Sequence, residues 1–383
     1  MSHHIVVVGA GYAGLVAAKR VAGRLRHTDV TVTLINAVDR FVERVRLHQV
    51  AAGRHPQYLP LRDLLDGTRV DLLVARVTSI DATARTVHVD RAPHAVGYDT
   101  LVYALGSRAH VDAVPGAAEH AHTLAEPDRA DRLHRHLARL PSGAGIAVVG
   151  GGLTGLEAAT ELAETRPDLQ VALYTGAEPG ARLSPRARRH LRRALDQLRV
   201  TVHAGTSVTE VRRDAVVDAD GRSFATDAVI WTAGFRAPAL AAEAGFATEE
   251  DGRMTVDRTL RSVSHPEVYA VGDAAAGHTV DAAITRMSCQ TAMPMGRQVA
   301  DVIAARLTGR EPRPVRIRYA FTNISLGRRD GIVQFTRPDD SPRASVLTGR
   351  TAAVFKEAVV RGTVLAVRGT GPLVPVRRPR PRT

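Results

Sequence analysis

Two glycine-rich runs, Gly9-Ala10-Gly11-Tyr12-Ala13-Gly14 and Gly150-Gly151-Gly152-Leu153-Thr154-Gly155, hold the residues whose types and spacing most clearly carry chemistry in this chain. In such a run the first glycine permits a tight turn, the second lets backbone approach a pyrophosphate, and the third lets a helix pack closely on a sheet. The free N–H groups at the helix start then face anionic oxygens. The chemistry implied is the binding of two dinucleotides by one chain. Four further side chains could act beside them: the helical acid Glu157, the amide Gln290, the thiol Cys289, and Asp273 at the end of an apolar run.

One such run arises by chance in glycine-rich loops, so the elements around it decide. Ile5, Val6, Val7 and Val8 suit a strand buried on both faces, and Leu15, Ala17, Ala18 and Val21 follow at helical spacing. Ile146 to Val149 lead into the second run, and Leu156, Ala158, Ala159, Leu162 and Ala163 lead out of it. Other strands are expected near Val30 to Asn36, Leu72 to Ile80, Thr86 to Val89 and Thr100 to Leu105, with a helix near Leu61 to Leu65. Asp112 to Glu119, containing Pro115-Gly116, reads as a linker. Beyond it come a helix over Arg129 to Leu140, a strand over Val171 to Tyr174, and a helix opened by Ser184 as N-cap with Pro185 at its first position. Asp218-Ala219-Asp220-Gly221 is a hairpin turn, and after Arg313 the pattern changes to short β-rich segments.

A chain of 383 residues with 44% hydrophobic content can build two or three domains with substantial cores. The first strand begins at Ile5, leaving no room for a secretory signal, and no apolar run approaches a membrane span, so a cytoplasmic protein is expected, with peripheral contact on the inner membrane face left open. Cys289 is the single cysteine, which excludes an internal disulfide, a C-x-x-C redox pair and a cysteine zinc site, and no metal site is expected. Of the 52 Lys and Arg residues behind the net charge of +13, all but Lys19 and Lys356 are arginine. They are scattered, apart from the tail at Arg377, Arg378, Arg380 and Arg382, and no zinc-finger, RNA-binding or basic-zipper signature points to nucleic acid.

Thr232-Ala233-Gly234 closes an apolar strand, Ala228 to Trp231, and Val268-Tyr269-Ala270-Val271-Gly272-Asp273 resembles the late flavin-binding motif of two-dinucleotide flavoproteins. With both fingerprints, in this order, the chain resembles the FAD-dependent pyridine nucleotide oxidoreductases and is most similar to type II NADH dehydrogenases and their relatives. The resemblance implies an α/β fold of two Rossmann-like dinucleotide-binding domains. The FAD domain is discontinuous, over 1–112 and 248–310, and the NAD(P)H domain covers 119–240. A small C-terminal β-rich element over 311–370 and a basic Arg/Pro tail over 371–383, expected to be disordered, complete this reading.

FAD is expected on Gly9, Gly11, Ala13 and Gly14, with Asn36, Val77, Gly106, Gly272 and Asp273 contributing; Asp273 would hydrogen-bond the ribitol. NAD(P)H is expected on Gly150, Gly152, Thr154 and Gly155, with Thr175, Arg182 and Gly234 counted among the cofactor contacts. A Rossmann unit normally ends its second strand with an acid on the ribose hydroxyls. Here Asn36 holds that place in the first unit and Leu173-Tyr174-Thr175-Gly176 in the second. The missing second acid, with Arg182, Arg186, Arg188 and Arg189 near a helix start, leans toward the 2′-phosphate of NADPH; a solvated arginine face is the alternative.

Hydride transfer to a flavin needs mainly positioning. Glu157 matches the family's G-x-T-G-x-E pattern, where the acid reaches the nicotinamide or ribose region; an ordinary solvent-facing helix acid is the alternative. On the acceptor side, the family's A-Q-x-A-x-Q pattern is met by Cys289-Gln290-Thr291-Ala292-Met293-Pro294, so Gln290 stays and the second Gln is Pro294, which should alter the helix path. Met287, Met293 and Met295 suit either an adaptable acceptor surface or core, and Cys289 reads as a packing residue. Lys356 falls where relatives carry a lysine near the quinone pocket but is read as a surface residue. The leading expectation is an FAD-dependent NAD(P)H dehydrogenase passing two electrons to a quinone or quinone-like molecule. The alternatives are a reductase of a small ferredoxin- or rubredoxin-type protein, a biosynthetic tailoring oxidoreductase, or a flavin-bound redox sensor; a homodimer is left open.

Overall fold

The computed structural model describes residues 2–369. Two five-stranded parallel sheets organise them. The first runs, in spatial order, Val268–Ala270, Thr100–Tyr103, His3–Val8, Val30–Asn36, Asp71–Val74. The second runs Thr201–Ala204, Gln170–Thr175, Gly145–Val149, Ala228–Trp231, Ala121–Thr123. Ile5 to Val8 and Ile146 to Val149 are buried along their whole length because each strand is central, flanked by parallel neighbours and covered on both faces. The register sets both fingerprints at equivalent places. Val8 pairs with Ile35 and Tyr103, and Val149 with Tyr174 and Trp231, so each glycine run leaves its sheet at the carboxyl ends of the strands.

Helices Tyr12–Arg24 and Leu153–Thr165 follow the two runs. The helix Pro185–Gln197 starts as the sequence demands, with Ser184 Oγ accepting from the Ala187 N–H and Pro185 in the first turn. The Asp218 to Gly221 turn joins Ala215–Asp218 to Ser223–Ala225, and the linker holds a short helix, Ala117–His120.

Two expectations are corrected. The single strand expected over Leu72 to Ile80 is two, Asp71–Val74 in the parallel sheet and Val77–Asp81 in a separate antiparallel one, because the chain leaves the first sheet at Ala75-Arg76. The helix that carries Pro294 is continuous over Cys289–Leu307. The proline falls in the second turn, and only the Gln290 carbonyl loses its backbone donor there. The C-terminal element is only half β: an antiparallel sheet of Phe321–Ser325, Gly331–Thr336 and Pro342–Thr348 is followed by a 19-residue helix, Arg350–Arg368. The arginine tail lies outside the described residues.

Candidate functional site

The fingerprint glycines divide their labour identically in both units. Gly9 and Gly150 have φ of +98° and +118° and lie so close to the next strand that a Cβ would meet Ala104 O at 2.4 Å or Thr232 Oγ1 at 2.7 Å. Gly14 and Gly155 press on the same turns, a Cβ falling 1.9 Å from Gly9 O and 1.8 Å from Gly150 O. Gly11 and Gly152 have nothing within 4 Å of the Cβ position. The outer glycines are therefore demanded by the protein's own packing, and the middle ones leave the open approach that a pyrophosphate needs.

Asn36 braces the first run: Oδ1 accepts the Ala10 N–H at 2.8 Å and Nδ2 donates to Val38 O at 2.7 Å. Thr175, at the matching strand end, turns its hydroxyl to Ala177 O at 2.9 Å. Val77 stands on the small antiparallel sheet opposite Val89, and Gly234 follows the strand end beside His110. Arg182 is engaged within the chain, its guanidinium 3.4 Å from Asp340 Oδ2. That carboxylate was invisible as a partner in the sequence, since it comes from a hairpin 158 residues away.

A cavity of about 490 Å³ brings most of the remaining residues together. Gly11, Ala13, Gly106, Gly272 and Asp273 line it from the first unit, Thr154 and Glu157 from the second, Gln290 and Cys289 from the long helix, and Lys356 from the C-terminal helix. Asp273 Oδ2 accepts from Ser107 Oγ at 2.7 Å and lies 3.7 Å from Arg44, so the Gly106-Ser107 turn and the late acid form one cluster. Gly272 and Gly296 bring the elements close: a Cβ on Gly272 would stand 3.0 Å from Ala13 Cβ, and one on Gly296 2.3 Å from Ala13 O. Gly296 was missed in the sequence because nothing short-range marks a glycine that touches a helix 283 positions away. Cys289 is half-buried, and its thiol is pushed up to about 11, by desolvation first and then by Asp273.

Lys356 is the main correction, and it meets Glu157. Lys356 is not a surface residue: it is 7% exposed and its Nζ is bound to Glu157 Oε1. Glu157 is equally not solvent-facing. Its Oε1 also accepts the Ser325 N–H at 3.1 Å, and its Oε2 lies 3.8 Å from Nδ1 of the buried His48. Burial, then Lys356, Arg328 and Arg46, holds His48 well below the ordinary histidine range, so it is neutral at neutral pH. Burial, and then Arg46, pushes Lys356 down to about 7, with Glu357 pulling the other way. Lys356 and Val360 also line a larger groove of about 920 Å³ along the C-terminal helix, bordered by Arg46, Arg54, Arg328 and Arg361.

Among the described residues no helix is long and apolar enough to cross a membrane. The sequence matches the pyridine nucleotide-disulphide oxidoreductase family over residues 3–296, and the chain belongs to it. It is an FAD-dependent oxidoreductase that uses a nicotinamide nucleotide. It is 33% identical over 346 residues to an NADH dehydrogenase-like protein of Mycobacterium tuberculosis, covering 84% of this chain and 85% of the relative. It is 26% identical over 397 residues to a type II NADH:quinone oxidoreductase of Staphylococcus epidermidis, covering 96% of each. The fold is shared with the sulfide:quinone oxidoreductase of Aquifex aeolicus, with a TM-score of 0.81 at 21% identity over 97% of this chain and 93% of that one.

Proposed function

We propose that the enzyme oxidises NADH and delivers two electrons to a small quinone-like acceptor in the cavity shared by the flavin motifs and the C-terminal helix. The observation that carries this reading is the buried Glu157–Lys356 pair on that cavity's wall. Two-electron reduction of a quinone by NADH consumes one proton: NADH + H⁺ + quinone gives NAD⁺ + hydroquinone. A buried ammonium pushed down to about 7 holds or releases a proton near neutral pH, and Lys356 borders both the cavity and the basic groove.

The cofactors fit the residues present. Gly9, Gly11, Ala13, Gly14, Gly106, Gly272 and Asp273 would hold FAD, and Gly150, Gly152, Thr154 and Gly155 the nicotinamide nucleotide, consistent with the open approach above Gly11 and Gly152. When bound, FAD supplies the two-electron relay between donor and acceptor. The chain orients both ligands at the strand ends, excludes water with Tyr12, Val271, Met293 and Val360, and keeps a proton at Lys356 Nζ. NADH is favoured over NADPH because Arg182 already faces Asp340 and one relative, from Staphylococcus epidermidis, is named a type II NADH:quinone oxidoreductase.

Anaerobic mixing of the flavin-loaded protein with NADH or NADPH, followed by menadione, tests this. Rapid bleaching by NADH and recovery of the oxidised spectrum with menadione are expected. Absence of bleaching by either nucleotide, or of recovery with menadione, removes the reading.

A further inference from the structure

The wall that carries Gln290 has lost its expected second amide to Pro294, and the structure supplies a different polar group in its place. Arg286, four residues earlier in the segment that leads into the helix and also on the cavity wall, donates from Nη2 to Gln290 Oε1 at 3.3 Å. We infer that Arg286 is the positioning residue that fixes Gln290 as a hydrogen-bond donor to a carbonyl oxygen of the acceptor, an inference that rests on the quinone reading above.

A guanidinium only donates, so the Gln290 atom turned to it must be the carbonyl oxygen. The amide N–H₂ is thereby directed away from Arg286, and Gln290 Nε2 makes no hydrogen bond within the described residues. Arg286 itself is fixed from several sides. Its Nε lies 2.8 Å from Asp340 Oδ2, and its guanidinium carbon stands 4.6 Å from the centre of the Tyr319 ring. Its backbone N–H donates to Tyr319 Oη at 2.7 Å, and its carbonyl accepts from Thr291 Oγ1 at 2.9 Å. Asp340 is nearly buried between Arg286 and Arg182, so the clamp joins the helix Cys289–Leu307, the C-terminal sheet and the start of the helix at Pro185.

In the reduction, two electrons enter the quinone, its C=O bonds become C–O, and two protons complete the hydroquinone; NADH supplies both electrons with one of the protons, as a hydride, and the second proton comes from solvent by way of the protein. Negative charge therefore grows on the carbonyl oxygens. A pre-oriented N–H and a neighbouring fixed cation favour the reduced over the oxidised acceptor without moving at the moment of transfer. The ligand class selected is one with a carbonyl acceptor; an outer-sphere oxidant such as ferricyanide gains nothing from the amide.

The test uses flavin-loaded full-length protein reduced by NADH and reoxidised by menadione or by ferricyanide, with the ratio of the two rates as readout. In Gln290→Glu the carboxylate still pairs with Arg286 but offers no N–H, and the ratio should fall by about 10- to 100-fold. Arg286→Ala should fall similarly and recover with millimolar guanidinium, which a merely structural role would not show. Asp340→Asn should raise the KM for menadione more than it lowers kcat. An unchanged ratio in Gln290→Glu, or an Arg286→Ala defect that guanidinium leaves untouched, overturns the assignment with the quinone reading intact. Wild-type protein reoxidised by ferricyanide but not by menadione overturns the quinone reading and this inference with it.

Discussion

Glu157 and Lys356 lie 199 residues apart and share one buried hydrogen bond. Two charges removed from water in this way are held by mutual attraction, so the loss of one leaves the other at full desolvation cost. Lys356→Met should destabilise the flavin-saturated protein by about 3–5 kcal/mol in urea unfolding, and adding Glu157→Leu should recover most of that loss. The pH dependence follows from the proton count. In the unfolded chain Lys356 keeps its proton up to 10.5, whereas in the fold it releases it near 7. Between those values the unfolded chain binds more protons, so this residue makes stability rise with pH, by up to about 1.4 kcal/mol per pH unit. The difference in unfolding free energy between wild type and Lys356→Met, measured from pH 6 to 10, should carry that slope above pH 7 and flatten below it. Little of this was legible in the sequence. Glu157 was marked as a site residue by its distance from Gly155, but its partner was assigned to the surface because a lysine's burial depends on what folds over it.

At the level of elements, the glycine runs were readable because strand, turn and helix are consecutive in the chain and each glycine's task is local. The geometry separates those tasks more sharply than the motif does. Gly11→Ala should fold with an unchanged melting temperature in the absence of flavin yet bind FAD at least about 10-fold more weakly, since the new methyl enters only the open approach. Gly14→Ala places its methyl 1.9 Å from Gly9 O and should lower stability itself, by about 1–3 kcal/mol or more. Gly152→Ala should keep bound flavin and lose its reduction by NADH, read as absent bleaching in a stopped-flow trace. Other elements were hidden from local reading. The helix Arg350–Arg368 is interrupted by Gly362 and rich in Val and Thr, residues of modest helix propensity, so only its packing on the sheet Phe321–Thr348 and the helix Tyr12–Arg24 makes it a helix. The helix Cys289–Leu307 likewise lies close against Ala13, an approach that Gly296 permits.

Across the whole molecule, the C-terminal element acts as a clasp over both nucleotide units. Lys19, in the first fingerprint helix, donates from Nζ to Val367 O at 2.8 Å and Arg368 O at 2.7 Å, closing the far end of the C-terminal helix. Arg46 binds Glu357 near its middle, and His190 binds Asp330 from the second unit. Lys19→Met removes two charge-assisted bonds to helix-end carbonyls that have no other partner among the described residues, and should cost about 3 kcal/mol. Hydrogen exchange should rise first over 360–368 and little in the two parallel sheets, a pattern mass spectrometry can resolve. The sequence showed that lysine is nearly absent from this chain, and the structure shows that both copies are spent on one helix. An amine-reactive reagent should therefore find the folded protein almost inert beyond its amino terminus. Acylation of Lys19 and Lys356 would then count how often the clasp opens, giving a two-site chemical clock for that motion with no engineered label.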